Sequence, residues 1–327
     1  MQGDLVVVFG GSGFIGTQVV KQLAKRGKRI RVPMRRPHLG HELRVLGDVG
    51  QVQLMQANVR YSESVERSLE GATAVVNLVG LLYEKGKQTF SDVQTEGAET
   101  IAIAAKKAGI SRFVQVSAIG ADPRGKANYA RSKAAAEAAV RAAVPTATVL
   151  RPSIVFGPGD EFFNRFADMA KFSPALPLIG GGKTKFQPVY VLDVAEAICN
   201  ALDRPTALGR TYELGGPTQY TFKELLQFTL KTINRPRSLA NLPFFVAGPM
   251  GSLTDAIFKL NPFAGPPLTG DQVRLLKNDN VVGISAEKGI GTIQDLGVTS
   301  LENIETIVPS YLWRFRPHGQ FQARPAE

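Results

Sequence analysis

Residues 5–16 read Leu-Val-Val-Val-Phe-Gly-Gly-Ser-Gly-Phe-Ile-Gly, an apolar run that passes directly into a glycine-rich segment. The run is typical of a buried β-strand, and Val19, Val20, Leu23 and Ala24 follow at helical spacing. A strand, a tight turn and a helix N-terminus in this order favour binding of a dinucleotide pyrophosphate, because backbone N–H groups reach the phosphates where no Cβ atom intervenes. A turn that binds no ligand is the alternative. The predicted phosphate-binding residues are consecutive: Gly10, Gly11, Ser12, Gly13, Phe14, Ile15 and Gly16.

Length and composition exclude several classes of protein. The 327 residues are 44% hydrophobic and 20% charged, as in ordinary soluble globular proteins, and no apolar run is long enough to span a membrane. The one cysteine, Cys199, indicates a reducing compartment, and the three histidines lack partners at metal-ligand spacing, so we expect no metal. We also expect no secretory signal, because the first strand begins within five residues of Met1.

The formal net charge is +11, and no acidic residue lies between Leu5 and His41. A basic region of this kind is one feature of nucleic-acid-binding proteins. No helix-turn-helix, zinc or aromatic-basic RNA motif accompanies it, so we do not expect nucleic acid as a partner. A phosphorylated cofactor together with an acidic protein partner explains the charge better.

Strand-like and helix-like segments alternate through the first half of the chain. The predicted strands are Leu5–Phe9, Arg29–Met34, Val52–Gln56, Ala74–Val79, Phe113–Ser117 and Ala147–Leu150. The predicted helices include Ser91–Ala108, with Ser91 and Gln94 as its capping pair, and Ala127–Ala143. This alternation predicts an α/β fold with a doubly wound parallel sheet of the Rossmann type, in which the second strand ends near Pro33.

Three regions are expected along the chain. Residues 1–150 form the dinucleotide-binding core, and residues 151–240, rich in Pro and Gly, contribute both to the sheet and to a smaller mixed lobe. Residues 241–327 form a docking segment and an extended tail. Within it, the apolar stretch Leu242–Phe263 suits either a membrane surface or a protein core. The aromatic and Arg-rich stretch Tyr311–Phe321 suits docking on a partner or on the chain itself, and a solvated, frayed end is the alternative.

The end of the second strand indicates which dinucleotide is bound. Folds that select NAD place an acidic residue there, which accepts a hydrogen bond from the ribose 2′-OH, whereas this chain has Arg35 and Arg36. Guanidinium groups pair with the 2′-phosphate of NADP(H), so we predict NADP(H); solvated surface arginines are the alternative. Further cofactor contacts are predicted at the ends of the third and fourth strands: Asn58, Val59, Asn77, Val79 and Gly80.

A Tyr and a Lys stand four residues apart in the predicted helix 127–143. Tyr129 and Lys133 therefore share one face, and the ammonium is expected to lower the tyrosine pKa toward a range useful for proton transfer. Ser117, at the end of the fifth strand, completes a Ser/Tyr/Lys set. The set is either catalytic or a means of positioning the cofactor without chemistry.

With these motifs in place, the chain resembles the short-chain dehydrogenase/reductase superfamily in its extended or atypical branch. The matching segments are Gly10–Gly16, Ser117, Tyr129 with Lys133, residues 151–159 (RPSIVFGPG) and residues 190–195 (YVLDVA). The resemblance implies that the segment containing Arg151, Pro152 and Ile154 passes near the nicotinamide.

Other segments resemble a narrower family, the NADPH-binding accessory subunits of respiratory complex I in their bacterial form. These segments are residues 162–167 (FFNRFA), 176–179 (LPLI), 187–191 (QPVYV) and 242–244 (LPF), and the tail. The resemblance implies NADPH that is tightly held and not turned over, other complex I subunits as partners, and a position near the site of quinone entry. The location implied is peripheral, on the cytoplasmic face of the bacterial inner membrane or on the matrix side in an organelle.

Three functions remain open from the sequence. The first is the non-catalytic complex I subunit, and the second is an active NADPH-dependent reductase or sugar-nucleotide epimerase. The third is a regulator that senses NADP(H). The region expected above Tyr129 is aromatic, with Phe156, Phe162, Phe163, Phe166 and Phe172, and such a lining favours interface packing or an apolar ligand over a sugar.

Overall fold

The computed structural model describes residues 4–260, 269–285 and 287–321, with the backbone alone at 252–253, 255–260 and 320. The described strands are β1 (Leu5–Phe9), β2 (Arg29–Met34), β3 (Val52–Gln56), β4 (Ala74–Asn77), β5 (Arg112–Val116), β6 (Thr148–Pro152), β7 (Val155–Phe156), β8 (Ala175–Ile179), β9 (Lys185–Phe186), β10 (Val189–Tyr190), β11 (Thr211–Leu214), β12 (Tyr220–Thr221), β13 (Ser238–Leu242) and β14 (Gly291–Thr292). The described α-helices are α1 (Phe14–Lys25), α2 (Ser62–Leu69), α3 (Glu96–Lys107), α4 (Asn128–Ala143), α5 (Phe163–Phe172), α6 (Val191–Asp203), α7 (Phe222–Thr232), α8 (Phe244–Leu260), α9 (Gly270–Leu275), α10 (Ile304–Ile307) and α11 (Pro309–Leu312). A π-helix covers Phe90–Thr95, and short 3-10 turns cover Pro37–Leu39, His41–Leu46, Gly180–Gly182, Pro205–Ala207, Gln294–Leu296, Trp313–Phe315 and Gly319–Phe321.

Contacts divide the chain into two compact units, each built from separate stretches of sequence. The first unit comprises Met1–Pro152, Val191–Leu214 and Ser285–Thr299. The second unit comprises Ser153–Tyr190, Gly215–Ile284 and Ser300–Glu327.

One parallel sheet organises the described part of the first unit. Its eight strands run in the order β14-β11-β6-β5-β4-β1-β2-β3, and helices flank them. The order reverses beside β1, as right-handed crossovers require in a doubly wound sheet. The predicted Rossmann-type fold is thus confirmed, and every residue of β1 is buried, as expected for a strand covered on both faces.

Pro33 lies near the end of β2, where a residue without an N–H group is tolerated. β2 runs one residue past Pro33, to Met34. β1 pairs with β2 only through Arg29–Arg31, so Pro33 lies beyond that ladder and its missing N–H leaves no β1 carbonyl without a partner.

The helix predicted from Ser91 begins differently. Thr89, not Ser91, caps it: its hydroxyl oxygen accepts the Asp92 N–H at 3.0 Å, and the π-helix Phe90–Thr95 precedes α3. The predicted capping role of Gln94 is wrong, because this side chain is buried and bonded to other elements.

The second unit has a phenylalanine-rich core. Buried residues of α5, α7 and the C-terminal segment pack together there, among them Phe163, Leu225 and Leu312. The Tyr311 hydroxyl donates to Asp160 Oδ2 at 2.5 Å, and Phe315 is buried in the same cluster. Of the two sites predicted for the aromatic and Arg-rich tail, this part of it therefore docks on the chain's own second unit.

The predicted cap of α7 is confirmed. Thr221 Oγ1 accepts the Glu224 N–H at 3.2 Å, and Glu224 Oε2 accepts the Thr221 N–H at 2.7 Å. This reciprocal pair satisfies two donors that a helix N-terminus otherwise leaves without partners.

Most of the apolar stretch Leu242–Phe263 forms α8; Leu242 is the last residue of β13, and residues 261–263 lie outside the described residues. Ala247 is buried beside Ile179 and Val273, while Phe245 and Met250 are exposed. Among the residues that the structure describes, no helix combines the length and the hydropathy needed to span a membrane.

Candidate dinucleotide-binding site

The loop between β1 and α1 has no room for side chains at two of its glycines. A Cβ atom added to Gly16 would lie 2.1 Å from the Gly10 carbonyl oxygen, and one added to Gly11 would lie 2.8 Å from Val32 Cγ1. Gly10 has a positive φ of 79°, which other residues rarely adopt. The loop therefore requires glycine for its own closure as well as for a close ligand.

The N-terminus of α1 is open to an anion. Gly13 is the N-cap, no side chain caps the helix, and its first turn has no acidic residue. The N–H groups of Phe14, Ile15 and Gly16 have no intrahelical acceptor at this position. Together with the helix dipole, they form a cradle suited to a phosphate group.

Two arginines follow β2 at the same edge of the sheet. Arg35 and Arg36 are both exposed, and Arg35 Nη1 donates to Gln88 Oε1 at 3.1 Å. Within the described ranges, neither arginine forms an ion pair. Their charges are thus available at the end of β2, where a dinucleotide fold recognises the ribose.

Other basic residues near the N-terminus serve the fold. Arg26 Nη1 lies 2.9 Å from Asp203 Oδ2, and Lys28 Nζ lies 3.0 Å from Asp4 Oδ2. The basic N-terminal region is thus partly neutralised within the chain.

Asn58, the cofactor contact predicted just after β3, is held by local hydrogen bonds. The Asn58 N–H donates to Ser64 Oγ at 3.1 Å, and Asn58 Oδ1 accepts the Arg60 N–H at 3.2 Å. Val59 packs against Gly97, whose added Cβ atom would lie 2.9 Å from Val59 Cγ2.

At the end of β4, Asn77 shapes the backbone. It is fully buried, donates through Nδ2 to Gln115 Oε1 at 2.9 Å, and accepts the Val79 N–H through Oδ1 at 3.0 Å. A Cβ atom on the next predicted residue, Gly80, would lie 3.1 Å from Lys133 Nζ. The structure therefore brings Gly80 and Lys133 together.

The Ser/Tyr/Lys set lies in the first unit: Ser117 directly follows β5, and Tyr129 and Lys133 are on α4. Ser117 is buried, and its Oγ has no hydrogen-bond partner in the described part of the chain. Lys133 Nζ lies 5.7 Å from the Tyr129 ring centroid and donates weakly to the Val116 carbonyl oxygen at 3.5 Å. A buried hydroxyl of this kind fits a site where a polar group of a ligand would accept or donate the hydrogen bond.

Burial sets the protonation states of this pair. Desolvation lowers the pKa of Lys133 to about 8, although the charge of Glu137 acts in the opposite direction. Desolvation also raises the pKa of Tyr129 to about 12. The predicted lowering of the tyrosine pKa is therefore wrong, because burial of the ring raises it.

Gln94 belongs to this site, although its sequence position suggested a helix cap. Gln94 Oε1 accepts the Leu81 N–H at 3.0 Å, and Nε2 donates to Ser132 Oγ at 2.7 Å. It thus joins the end of β4 to α4 beside Lys133. The π-helix turns this side chain inward, and no local sequence signal predicts that turn.

Arg151, expected near the nicotinamide, is engaged elsewhere. Its guanidinium is bidentate to Glu137, at 2.9 and 2.6 Å, and reaches Glu287 Oε2 at 2.8 Å. Burial disfavours its charge, yet the hydrogen bonds and charges of the two glutamates hold its pKa above the usual range. The guanidinium therefore links β6 to α4.

The other two residues of this segment contribute through the backbone. The Pro152 carbonyl oxygen accepts the Ile119 N–H at 3.0 Å in the first unit. Ile154 belongs to the second unit, where its carbonyl oxygen accepts the Val189 N–H at 2.9 Å.

His, Cys, Asp and Glu side chains form no group that could hold a metal ion within the described ranges. The chemistry available is that of a phosphate cradle, two exposed guanidinium groups and a buried Ser/Tyr/Lys set. All three lie after the carboxyl ends of parallel strands, where this fold class binds ligands.

Comparison with known proteins identifies relatives over most of the chain. The model of the NAD dependent epimerase/dehydratase family matches residues 6–215. The protein named NADH dehydrogenase (ubiquinone) 1 alpha subcomplex subunit 9, mitochondrial, is 40% identical in Arabidopsis thaliana, over 88% of this chain and 73% of the relative. Its namesake in Rattus norvegicus is 33% identical, over 100% and 86%.

A reductase and a solved structure are also similar. The ceramide reductase of Caulobacter vibrioides is 32% identical over 77% of this chain and 78% of its own length. The crystal structure of gox2253 superposes with a TM-score of 0.71 at 21% identity, covering 98% of this chain and 100% of that one. The latter likeness concerns the fold.

Proposed function

Because the chain belongs to the NAD dependent epimerase/dehydratase family and, within it, to the family of the complex I alpha subcomplex subunit 9, we propose that it is an accessory subunit of a respiratory NADH:quinone oxidoreductase. In this proposal it holds NADPH tightly and does not turn it over. The observation that carries the cofactor part is the glycine cradle at α1 with two exposed arginines after β2.

The residues fit the proposed cofactor at both ends. The pyrophosphate would lie on the N–H groups of residues 14–16, since a Cβ atom at Gly16 has no room. Arg35 and Arg36 would pair with the 2′-phosphate, which carries nearly two negative charges.

At the nicotinamide end, Ser117 Oγ lacks a partner and Lys133 is a buried donor that would hold the ribose hydroxyls. NADPH, when bound, supplies a hydride. In the proposed role the Ser/Tyr/Lys set binds and orients the cofactor. At neutral pH Tyr129 stays neutral, because its pKa is about 12. Lys133 is mostly protonated there but loses its proton more readily than an exposed lysine, because its pKa is about 8.

The partners proposed are other subunits of the oxidoreductase, and the location is peripheral, on the cytoplasmic face of a bacterial inner membrane or on the matrix side in mitochondria. Two named relatives are mitochondrial subunits, which supports this assignment. In the second unit, the exposed Phe245 and Met250 of α8 give a surface suited to lipid near the quinone-reducing part of the complex.

Native purification tests the assembly. Solubilised in mild detergent from the membranes of its own organism, the protein should co-migrate with NADH:quinone oxidoreductase activity on a native gel. Deletion of its gene should reduce the amount of assembled complex, and Tyr129→Phe should restore it. A soluble dimer that never associates with the activity would contradict the proposal.

A second candidate function is an NADPH-dependent reductase of a lipid ketone. The complete set Ser117, Tyr129 and Lys133 favours it, as does the 32% identity to a ceramide reductase. Purified protein would be supplied with NADPH and a long-chain 3-keto compound, and NADPH oxidation followed by absorbance. Turnover that Tyr129→Phe abolishes would establish this function, and its absence would leave the accessory role as the better proposal.

A further inference from the structure

The two edges of the eight-stranded sheet are built differently. At one edge, β14 has only two residues, and Asp295 Oδ2 accepts the Thr292 N–H at 2.7 Å. At the other edge, β3 has five residues, with the sequence VQLMQ. Natural edge strands are usually kept short or carry proline or charge, which prevents another chain from pairing with them. β14 has such protection, and β3 has none among its own residues.

Alternate backbone groups of β3 point away from the sheet. The Ile30 N–H donates to the Gln51 carbonyl oxygen at 2.9 Å, and the Ala57 N–H donates to the Met34 carbonyl oxygen at 3.1 Å. In a parallel ladder the odd-numbered residues of β3 therefore face β2, and the even-numbered ones face outward. The outward N–H and C=O groups, which make no hydrogen bond within the described residues, are those of Val52, Leu54 and Gln56. Val52 is only 6% exposed, so Leu54 and Gln56 offer the more accessible groups.

A basic cavity lies beside this edge. It measures about 790 Å³ and is lined by the first residues of β1, β2 and β3, together with Arg44 and Val49. Arg29 and Arg44 are exposed within it, and no acidic side chain belongs to the lining. Val45 and Val49, in the preceding segment, are 82% and 107% exposed. The edge thus combines unpaired backbone, positive charge and apolar surface.

We infer that β3 is a docking site for an extended acidic segment of a partner protein. The segment adds as a further strand of the sheet, and its backbone pairs with the outward groups of β3. Its carboxylates pair with Arg29 and Arg44, and an apolar side chain covers Val49. A peptide fits this edge better than a nucleic acid, because the outward groups alternate donor and acceptor whereas phosphates only accept.

This site is separate from the cofactor cradle. The cavity lies at the amino ends of the strands, whereas the cradle and Arg35 follow their carboxyl ends. Acidic peptide and NADPH are therefore expected to bind at the same time, and the inference does not depend on the identity of the cofactor.

Synthetic peptides test the inference on the unaltered full-length protein. The probe is a short fluorescent peptide of alternating glutamate and valine, with lysine and valine as the charge control. A third peptide keeps the glutamates but has N-methyl groups on the residues of one edge. Fluorescence anisotropy should show binding of the first peptide alone. Equal binding of the acidic and N-methylated peptides, or no binding of the acidic one, would overturn the inference.

Charge reversal then locates the site. Arg29→Glu combined with Arg44→Glu should weaken binding of the acidic peptide about tenfold, since each exposed pair contributes up to about 1 kcal/mol. The matched control, Lys106→Glu on α3 with Lys288→Glu just before β14 at the opposite edge of the sheet, changes the charge equally. It should leave binding within about twofold, because screened charges at a distance contribute little. Unchanged circular dichroism and NADPH binding would exclude misfolding. Equal loss in both variants would contradict a site at β3.

Discussion

Gly16 shows how strictly one residue is constrained at the cofactor loop. An added Cβ atom would lie 2.1 Å from a backbone oxygen, which a side-chain rearrangement cannot relieve. The same residue supplies one of the N–H groups of the phosphate cradle. Loop closure and phosphate binding therefore both require that residue 16 has no Cβ atom.

We predict that Gly16→Ala abolishes NADPH binding and lowers the melting temperature. The loop must open to admit the methyl group, and opening withdraws the N–H groups from the phosphate. Gly248→Ala is the control, because its added Cβ atom meets nothing within 4 Å. Calorimetric titration with NADPH and thermal unfolding of both variants measure the effect. Wild-type NADPH affinity in Gly16→Ala would show that the phosphates bind elsewhere.

Lys133 makes stability depend on pH in a defined direction. Its pKa falls from 10.5 in the unfolded chain to about 8 in the fold, so between these values the unfolded chain binds more protons. Stability contributed by this residue therefore rises with pH across that window. The full shift corresponds to about 3 kcal/mol, taken at about 1.4 kcal/mol for each pKa unit.

The measurement compares wild type with Lys133→Met by chemical unfolding from pH 7 to pH 10. As pH rises, the free energy of unfolding of wild type should increase relative to that of the variant. The window stops at pH 10 because Tyr129, with its pKa near 12, opposes the trend above it. Parallel curves for the two proteins would show that Lys133 titrates normally.

At the residue scale, the sequence predicted those features that depend on a fixed spacing between nearby residues. The glycine loop and the Tyr-x-x-x-Lys pair are local patterns, and the structure places Gly80 beside Lys133. Gln94 was misassigned because its partner, Ser132, is 38 residues away. The contact of Arg151 with Glu287 spans 136 residues, and no periodicity encodes it.

Among the elements, α4 and β6 are joined by a buried ion pair. Arg151 Nη2 lies 2.6 Å from Glu137 Oε2, and both side chains are at most 10% exposed. Glu287 adds a second carboxylate that is 44% exposed. Burying such a pair costs hydration, so its worth depends on both partners being present.

We predict that Arg151→Met lowers the free energy of unfolding by about 3 kcal/mol or more, since it leaves the Glu137 carboxylate buried without a counter-charge. Adding Glu137→Leu should recover most of that loss, because Glu287 can return to solvent. Denaturant titration of wild type, both single variants and the double variant measures the coupling. Additive losses in the double variant would show that the pair is not coupled.

The positions of helices and strands were predictable where burial produces a recognisable apolar pattern in the sequence. β1 is an apolar run buried on both faces and matches its predicted bounds. The partly exposed β2 and β3 match theirs as well, and β5 and β6 differ by one or two residues at each end. The start of α3 was not predictable. The π-helix before it exists because Gln94 is bonded to Leu81 and Ser132, which are tertiary contacts.

For the whole molecule, sequence indicated a Rossmann core but not how later segments return to it. Val191–Leu214 and Ser285–Thr299 join the first unit, and β11 and β14 extend its sheet. Pairing β11 with β6 brings together residues about 60 positions apart in sequence, a contact that local patterns do not encode. The docking of the tail was easier to predict, because aromatic side chains such as Tyr311 and Phe315 are favourable only when they pack against other apolar groups.

At this scale we predict that α8 brings the protein to anionic membranes. Its exposed Phe245 and Met250 would enter the headgroup region, and the net charge of +11 favours acidic lipid. Sedimentation with phosphatidylglycerol vesicles should pull down wild type, and Phe245→Glu with Met250→Glu should remain in the supernatant. Leu39→Glu with Val45→Glu, which alters exposed apolar residues of the first unit, is the control. Equal loss in both double variants would assign the binding to charge alone.

The central claim is that the first unit holds NADPH, and the most direct measurement is of the nucleotide that the native protein carries. Protein isolated from its own membranes is denatured, and the released compound is identified by mass and by its fluorescence. The proposal predicts close to one NADPH or NADP⁺ per chain, and much less from Arg35→Ala with Arg36→Ala. Release of NADH alone, or of no nucleotide together with no thermal protection by added NADPH, would contradict it.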